Sequence, residues 1–314
     1  VSVPPCWPAL PHRERLREPT PPWQEIIKRI SAKLEKVLER FPHAAHNPDL
    51  LKRYFPFAGE LMIAHLRYAT HGNQTINAVH PSLRLNNWKS RTLVMAGNFN
   101  LTNNDKLFQS LVDLGQHPVD TGDTVTVMER IGHFLDRAVE ELIDALREEG
   151  VADKQQRSQI VADRLDLQNI LEKSAAPWDG GYTMAGLVGH GDTFVLRDPN
   201  GIRPAYYYHN EEIAVVASER QAIATSFNLE FDDILELPRG HAFICKKSGD
   251  ISIVPFIEQR ERKSCSFERI YFSRGTDAAI YEERKHLGDY VVPQILEAID
   301  YYLDNTVFSC IPNT

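Results

Sequence analysis

The sequence predicts an α+β fold, in which strands and helices form separate layers. Strand-like runs of apolar and β-branched residues occur at residues 61–68, at residues 91–99 and, in several pieces, at residues 180–256. Two helical patterns, at residues 123–149 and 153–174, stand between them. Because two helices follow one another between blocks of strands, the order favours sheets layered with helices over alternating βαβ units. A sandwich of sheets covered by helices fits this order.

The N-terminal part predicts one helix after a proline-rich leader. Residues 1–22 contain seven prolines, which block helix interiors and sheet ladders, so we expect an extended leader. Residues 23–41 place apolar side chains at helical spacing and end at Pro42, which predicts an amphipathic helix. Residues 44–58 predict a loop with a short helical turn. Residues 1–58 are therefore expected to form the first of three segments.

Capping and turn residues delimit the later elements. Asp123 or Thr124 is the expected N-cap of the helix at residues 123–149, and Gly150 is its expected stop. The tripeptide Pro-Arg-Gly at residues 238–240 predicts a hairpin turn.

The C-terminal part predicts a change of organisation. Residues 59–256 are expected to form one domain, and residues 257–314 a polar linker followed by the start of another domain. Within the latter, residues 269–273 predict a short strand and residues 281–303 a helix.

Composition excludes several classes of function. The net charge of −8 argues against a nucleic-acid surface. No apolar run approaches the ~20 residues that span a bilayer, and no signal peptide is visible, so we expect a cytoplasmic protein without a membrane partner. The cysteines lack CxxC spacing, which predicts neither a zinc site nor a disulfide framework. They are Cys6, Cys245, Cys265 and Cys310.

The most specific motif is the octapeptide Arg-Asp-Pro-Asn-Gly-Ile-Arg-Pro at residues 197–204, which lies between two strand-like runs. Pro199 cannot donate to a ladder, and the Asn-Gly pair that follows favours positive φ, so the segment predicts a tight bend. On physical grounds alone, a charged hairpin loop is the favoured interpretation.

Three other segments carry residues that are suited to chemistry. Arg67 follows a strand-like run and can clamp a carboxylate by paired hydrogen bonds, although a surface arginine shows the same pattern. Asn98 at a strand end is a fixed donor for a developing oxyanion, although a lone Asn is more often part of a turn. Asp123, taken by itself, is a helix cap.

Six segments occur in the order found in the class II glutamine amidotransferases, and they resemble most closely the amidophosphoribosyltransferases. Besides the octapeptide, they are His-Leu-Arg-Tyr-Ala-Thr-His-Gly at residues 65–72, Gly-Asn-Phe-Asn-Leu-Thr-Asn at 97–103, Thr-Gly-Asp-Thr at 121–124, Gly-Gly-Tyr at 180–182 and Ala-Ser-Glu at 217–219.

Two further segments extend the resemblance. The His-Pro pair at residues 80–81 matches the family's loop, and residues 267–274 with 281–288 resemble its junction with a phosphoribosyltransferase domain. The resemblance implies an N-terminal-nucleophile αββα sandwich, incomplete in this chain, followed by the start of a phosphoribosyltransferase-like α/β domain.

The resemblance implies a glutamine-binding surface. It assigns Arg67 to the α-carboxylate of glutamine and Asp123 to its α-ammonium. Thr70 and Gly72 belong to the same substrate-binding surface.

The resemblance also implies catalytic groups. The Asn98 side chain and the backbone N–H of Phe99 form the oxyanion hole, with Phe99 standing where the family usually has Gly. The family attacks glutamine with an N-terminal cysteine thiolate. Cys6 is followed by Trp7 and Pro8 instead of the family's Gly-Ile-Val-Gly, so we do not expect it to act as the nucleophile. We therefore expect an inactive fragment, whose two ends look like cuts.

The family's intact enzyme hydrolyses glutamine and passes ammonia to phosphoribosyl pyrophosphate, giving phosphoribosylamine for de novo purine synthesis. The resemblance implies Mg²⁺ bound with phosphoribosyl pyrophosphate, a homo-oligomer and, in some members, an iron–sulfur cluster with a ligand at the place of Cys265. We expect no cofactor in this chain, because one Cys cannot hold a cluster. Two alternatives stay open: a degenerate glutamine-binding module without chemistry, and a structural fragment that associates through an open sheet edge.

Overall fold

The computed structural model describes residues 22–66, 79–118 and 121–309. Within these residues, no helix combines the length and the apolar content needed to cross a membrane.

The chain divides into two compact units, and each unit is built from two separate stretches of chain. Unit 1 comprises Val1–Arg203 and Leu237–Arg262, and unit 2 comprises Pro204–Glu236 and Lys263–Thr314. The three segments expected from the sequence stay a prediction.

The described strands, in chain order, are β1 (Ser82–Arg84), β2 (Leu93–Leu101), β3 (Gly180–Val188), β4 (Thr193–Arg197), β5 (Tyr206–His209), β6 (Ala214–Ala217), β7 (Leu235–Glu236), β8 (His241–Cys245) and β9 (Ile251–Pro255). In unit 1 they form an antiparallel sheet in the order β1-β2-β3-β4-β8-β9.

The described α-helices of unit 1 are α1 (Pro22–Arg40), α2 (Pro48–Tyr54), α3 (Asn104–Asp113), α4 (Asp123–Glu148), α5 (Lys154–Arg164) and α6 (Leu167–Ala175). The predicted helices at residues 23–41 and 123–149 are therefore confirmed. The one predicted at residues 153–174 is two helices, because the Asp166 side chain accepts a hydrogen bond from the N–H of Asn169 and starts α6 anew (3.1 Å).

Helices α3 to α6 cover one face of this sheet. Leu93, Met95 and Leu101 of β2 point into the core that these helices share with the sheet, and Tyr182 and Met184 of β3 do the same. The alternation of a strand explains the pattern, since every second side chain lies on one face. Helices layered on an antiparallel sheet confirm the predicted α+β class.

Unit 2 contains a small antiparallel sheet in the order β6-β5-β7. The described α-helices of this unit are α7 (Arg220–Phe227) and α8 (Ala278–Ala298). Its hydrophobic cluster contains Ile223, Ala224 and Ile234.

The octapeptide at residues 197–204 is not a hairpin loop, contrary to the prediction. β4 pairs with β3 and β8, whereas β5 pairs with β6 and β7, so the bend carries the chain from one sheet to the other. Gly201 does adopt the positive φ that the Asn-Gly pair predicts (66°). Residues 238–240 also form a turn, between β7 and β8. These two strands do not pair with each other, so the turn does not close the predicted hairpin. Turn residues set the local direction of the chain, but they do not choose the partner of the next strand.

Two predicted strands are wrong within the described residues. Residues 61–66 form no strand, and the rest of that expected strand lies outside the described residues. Glu268–Phe272 is a π-helix, closed by a hydrogen bond from the N–H of Ser273 to the carbonyl of Glu268 (2.9 Å). Its Arg269 pairs with Glu283 of α8, and this pairing favours the helical turn over an extended segment.

Candidate active site

Asn98 and Phe99 lie near the end of β2, on opposite faces of the sheet. The ring of Phe99 packs against the helix-covered core, whereas the Asn98 side chain is exposed on the other face. Phe99 pairs with Tyr182 in regular antiparallel register. Among the described non-glycine residues, φ is positive only at Asn228, Asp300 and Tyr301. The Phe that stands in place of the family's Gly therefore sits in ordinary strand backbone.

The backbone N–H of Phe99 points toward the edge of the sheet. The N–H of Gly97 donates to Nδ1 of His80 (3.2 Å), on the β1 side of β2. Since N–H groups two residues apart in a strand point the same way, the N–H of Phe99 also faces the β1 side. β1 begins only at Ser82, opposite Met95. The two predicted oxyanion donors therefore stand next to each other at one corner of the sheet.

Asp123 is the first residue of α4. The N-cap is Gly122, whose carbonyl accepts the first helical hydrogen bond from the N–H of Thr126 (3.0 Å), so the prediction that Asp123 or Thr124 caps the helix was wrong. Oδ1 of Asp123 accepts a hydrogen bond from the N–H of Thr124 (2.8 Å). A carboxylate is favourable here, because the first turn of a helix carries partial positive charge.

His80 connects these two places. Its Nδ1 accepts from Gly97, and its Nε2 lies 3.0 Å from Oγ1 of Thr124. Oγ1 of Thr124 lies in turn 3.5 Å from Oδ1 of Asp123. The buried imidazole also stacks on the ring of Phe99, with centroids 5.8 Å apart. The His-Pro pair at residues 80–81 matches a loop of the family, but the resemblance assigns His80 no role.

The charged residues of the octapeptide serve the fold. The buried Asp198 carboxylate accepts hydrogen bonds from the N–H groups of Asn200, Ile202 and Arg203 (3.0 Å each) and, more weakly, from that of Tyr182 (3.4 Å). The equally buried Arg197 donates to the carbonyls of Arg203 (2.8 Å) and Leu237 (2.7 Å). These bonds fix the corner at which the chain leaves the sheet, and they bind that corner to the strand that pairs with Phe99.

Arg67, Thr70 and Gly72 of the predicted substrate surface lie outside the described residues. So does Cys6, which we do not expect to be the nucleophile.

Cys245 is the described cysteine of unit 1, and it does not lie beside Asn98. Cys245 lies three strands away from Asn98 across the sheet, and it pairs with the opposite end of β4. The usual spacings between strands and along a strand put the two residues about 20 Å apart. Burial and the nearby Asp192 carboxylate raise the pKa of the Cys245 thiol, which disfavours the thiolate. Cys265 belongs to unit 2.

The described residues also bring together no group of three or more His, Cys, Asp or Glu side chains that could hold a metal ion. An iron–sulfur cluster requires several converging thiolates. The residues in this part of the chain therefore do not fit such a cluster.

Comparison with curated proteins identifies relatives of one kind over about three quarters of this chain. An enzyme of Archaeoglobus fulgidus is 28% identical over 237 residues, which cover 74% of this chain and 44% of the relative. One of Bacillus subtilis is 27% identical over 237 residues, covering 73% and 42%. Both are amidophosphoribosyltransferases. The predicted resemblance to this family is confirmed.

The likeness to amidophosphoribosyltransferases is partial in length. The chain spans less than half the length of these curated relatives. A shorter match, 34% identical over 92 residues, is to a glutamine–fructose-6-phosphate aminotransferase of Pseudomonas putida and covers 29% of this chain and 14% of that protein. No family model matches the chain.

Among solved structures, a glutamine phosphoribosylpyrophosphate amidotransferase from B. subtilis matches with a TM-score of 0.45 and 26% identity. The match covers 67% of this chain and 38% of that structure.

Proposed function

We propose that this chain carries the glutamine site of an amidophosphoribosyltransferase. In this proposal Asp123 binds the α-ammonium group of glutamine, and the Asn98 side chain with the N–H of Phe99 stabilises the oxyanion formed at the amide carbon. Arg67, Thr70 and Gly72 are proposed to complete the substrate surface.

The hydrogen-bonded connection between β2 and the start of α4 carries the proposal. Gly97, next to Asn98, is joined through His80 and Thr124 to Asp123. One network therefore joins the strand that carries the proposed oxyanion donors to the carboxylate proposed for the ammonium group. An α-amino acid amide requires both kinds of group.

In the whole protein, the ammonia released from glutamine would pass to phosphoribosyl pyrophosphate and give phosphoribosylamine. The relatives' family name and the resemblance of residues 267–288 to the junction with a phosphoribosyltransferase domain support this part of the proposal. Phosphoribosyl pyrophosphate, with its Mg²⁺, is proposed to bind outside unit 1.

Calorimetric titration of the full chain with glutamine tests the proposal. We expect saturable binding that Asp123→Asn weakens about tenfold or more, since a hydrogen bond to a charged group contributes ~1.5–3 kcal/mol. Asp105→Asn is the matched control, because Asp105 also lies in the first turn of a helix of unit 1. Equal affinity of the Asp123→Asn variant and the unaltered chain would refute the assignment.

An ammonia-release assay separates an enzyme from a binding module. The second candidate, a binding module, is favoured by the distance of Cys245 from Asn98, which leaves no described thiol of unit 1 in position to attack. Glutamine binding without ammonia release would support it. Turnover that Cys6→Ser abolishes would establish Cys6 as the nucleophile and overturn the expectation of an inactive chain.

A further inference from the structure

The hydrogen bonds of His80 define its protonation and its tautomer. A backbone N–H can only donate, so the bond from Gly97 requires a lone pair on Nδ1. In a neutral imidazole the hydrogen then lies on Nε2, which donates to Oγ1 of Thr124 (3.0 Å). The hydroxyl of Thr124 is left to donate toward Oδ1 of Asp123. Each donor has an acceptor, and the direction of the whole chain of bonds is fixed.

The position of His80 follows from the strand register. β1 pairs Ser82 with Met95 and Leu83 with Val94, so His80, two positions before the strand, lies opposite Gly97. The imidazole takes the ladder hydrogen bond that a longer β1 would accept through its backbone. His80 is 9% exposed, and its ring packs against the rings of Phe99 and His65, with centroids 5.8 and 4.7 Å away.

We propose that His80 is a positioning residue for glutamine binding and hydrolysis, which holds the oxyanion corner of β2 and the ammonium-binding start of α4 at a fixed separation. This inference rests on the proposed function. Nδ1 acts on the side of Asn98 and Phe99, through Gly97. Nε2 acts on the side of Asp123, through Thr124. The two nitrogens therefore have separable effects.

Two variants of His80 each remove the hydrogen bond at one nitrogen of the imidazole and keep the other. His80→Asn places an amide oxygen near the position of Nδ1, where it can accept from Gly97, but it does not reach Thr124. His80→Gln reaches toward Thr124 but offers no acceptor to Gly97. Thr124→Val removes the acceptor at the far end while keeping the shape of the side chain and the imidazole intact.

Two readouts on the full chain follow from this design. In a calorimetric titration with glutamine, we expect His80→Asn and Thr124→Val to raise the Kd about tenfold, and His80→Gln to change it less than about twofold. In amide hydrogen exchange followed by NMR, we expect His80→Gln to speed exchange at Gly97 about tenfold and His80→Asn to leave it nearly unchanged. A merely structural role predicts instead that both His80 variants change both readouts alike, and that result would overturn the proposal.

A third measurement is independent of glutamine. In the full chain labelled with ¹⁵N-histidine, the signals lost in His80→Asn belong to His80. We expect Nδ1 to be unprotonated and Nε2 protonated at neutral pH. The opposite tautomer, or an imidazolium ion, would refute the positioning geometry. If the unaltered chain shows this tautomer but does not bind glutamine, the proposed function falls and takes the functional role of His80 with it.

Discussion

At the scale of residues, Phe99 stands where the family usually has Gly, and its ring fills space beside Gly97. A side chain at Gly97 would meet the carbonyl of Thr183 and the Phe99 ring, so that ring fills the space above the glycine. The same ring stacks on His80 and packs against the core. We predict that Phe99→Gly, which restores the family's usual residue, lowers the free energy of unfolding by ~3 kcal/mol. Urea denaturation measures this. Phe99→Leu, which keeps most of the volume, should cost less than ~1.5 kcal/mol.

Tyr182 is a buried residue whose hydroxyl makes no hydrogen bond with the described residues. It is 0% exposed, its ring packs edge-on against Trp178, and its Oη has no hydrogen-bond partner among the described residues. Burial, with the nearby Asp198 carboxylate, raises the pKa of this hydroxyl above its ordinary value. An unsatisfied buried polar group costs ~1–3 kcal/mol, so we predict that Tyr182→Phe raises the free energy of unfolding by about 1 kcal/mol.

The control for this prediction is Tyr208→Phe. The hydroxyl of Tyr208 accepts a hydrogen bond from the Asn210 side chain (3.3 Å), so its removal should bring no gain. A thermal melt compares the two variants. A lower melting temperature for Tyr182→Phe than for the unaltered chain would show that its hydroxyl is satisfied.

At the scale of elements, Asp192 fastens the β3–β4 turn to the chain that follows β8. The fully buried carboxylate accepts hydrogen bonds from the ammonium of Lys246 and the N–H of Lys247, and it lies 3.0 Å from Nε2 of His190. Lys246 also donates to the carbonyl of Leu165 after α5 (3.1 Å). One carboxylate thus joins two strand connections and, through the lysine, the end of a helix.

The pKa of Asp192 gives this anchor a pH dependence. Burial acts to raise the pKa of the carboxyl, but its interactions with the nearby His190 and with Lys246 outweigh burial and lower the pKa below the ordinary 3.8. The stabilisation is therefore complete above about pH 4 and is lost as the pH falls through the lower, folded-state value. We predict that Asp192→Asn costs ~3 kcal/mol at neutral pH, since it leaves a partly buried charge unpaired, and that the difference shrinks below pH 3.8.

Denaturation at several pH values, with Asp250→Asn as control, tests this anchor. Asp250 lies in the connection between β8 and β9 but is exposed. Its substitution should cost less than ~0.5 kcal/mol. A cost of Asp192→Asn that stays constant down to pH 2 would contradict the linkage.

The accuracy of the sequence-based predictions depends on the range of the interactions involved. α1 and α4 were predicted correctly, because apolar spacing and capping signals are local. The octapeptide was wrongly predicted as a hairpin, since its turn residues carry no information about which sheet β5 joins. Residues 269–273 were wrongly predicted as a strand, since their aromatic and β-branched content is outweighed by the pairing of Arg269 with α8.

The candidate site shows the same limit. Motifs identified Asn98 and Asp123, but not the residue that connects them. His80 meets Gly97 only through the β1–β2 register, and it meets Thr124 across 44 positions of sequence. The His-Pro pair is visible in the sequence, whereas the strand that follows it and the partner of that strand were not predicted.

At the scale of the whole molecule, the two units differ in how they are held together. Unit 1 has an extensive core between its sheet and α3 to α6, whereas the hydrophobic cluster of unit 2 contains Ile223, Ala224 and Ile234. Unit 2 instead joins its two stretches of chain by a bidentate pair, in which Arg220 donates to both oxygens of Asp277 (2.9 and 3.1 Å). The same carboxylate caps the start of α8, and the guanidinium lies over the ring of Phe231.

We predict that Arg220→Ala selectively destabilises unit 2. Hydrogen exchange by mass spectrometry should show faster exchange in β5, β6 and α7, by about ten- to a hundredfold, because a charge-assisted pair of this kind contributes ~1.5–3 kcal/mol. Exchange in β2 and β3 should stay unchanged. Arg274→Ala is the matched control, since Arg274 also joins the two stretches, by its pair with Glu219, but its side chain is 68% exposed and such pairs contribute ~0–1 kcal/mol. Equal acceleration of exchange in both units would contradict the prediction, because it would mean that the chain opens as a single cooperative whole. Equal effects of Arg220→Ala and Arg274→Ala would mean that burial of the Arg220 pair adds nothing to the stability of unit 2.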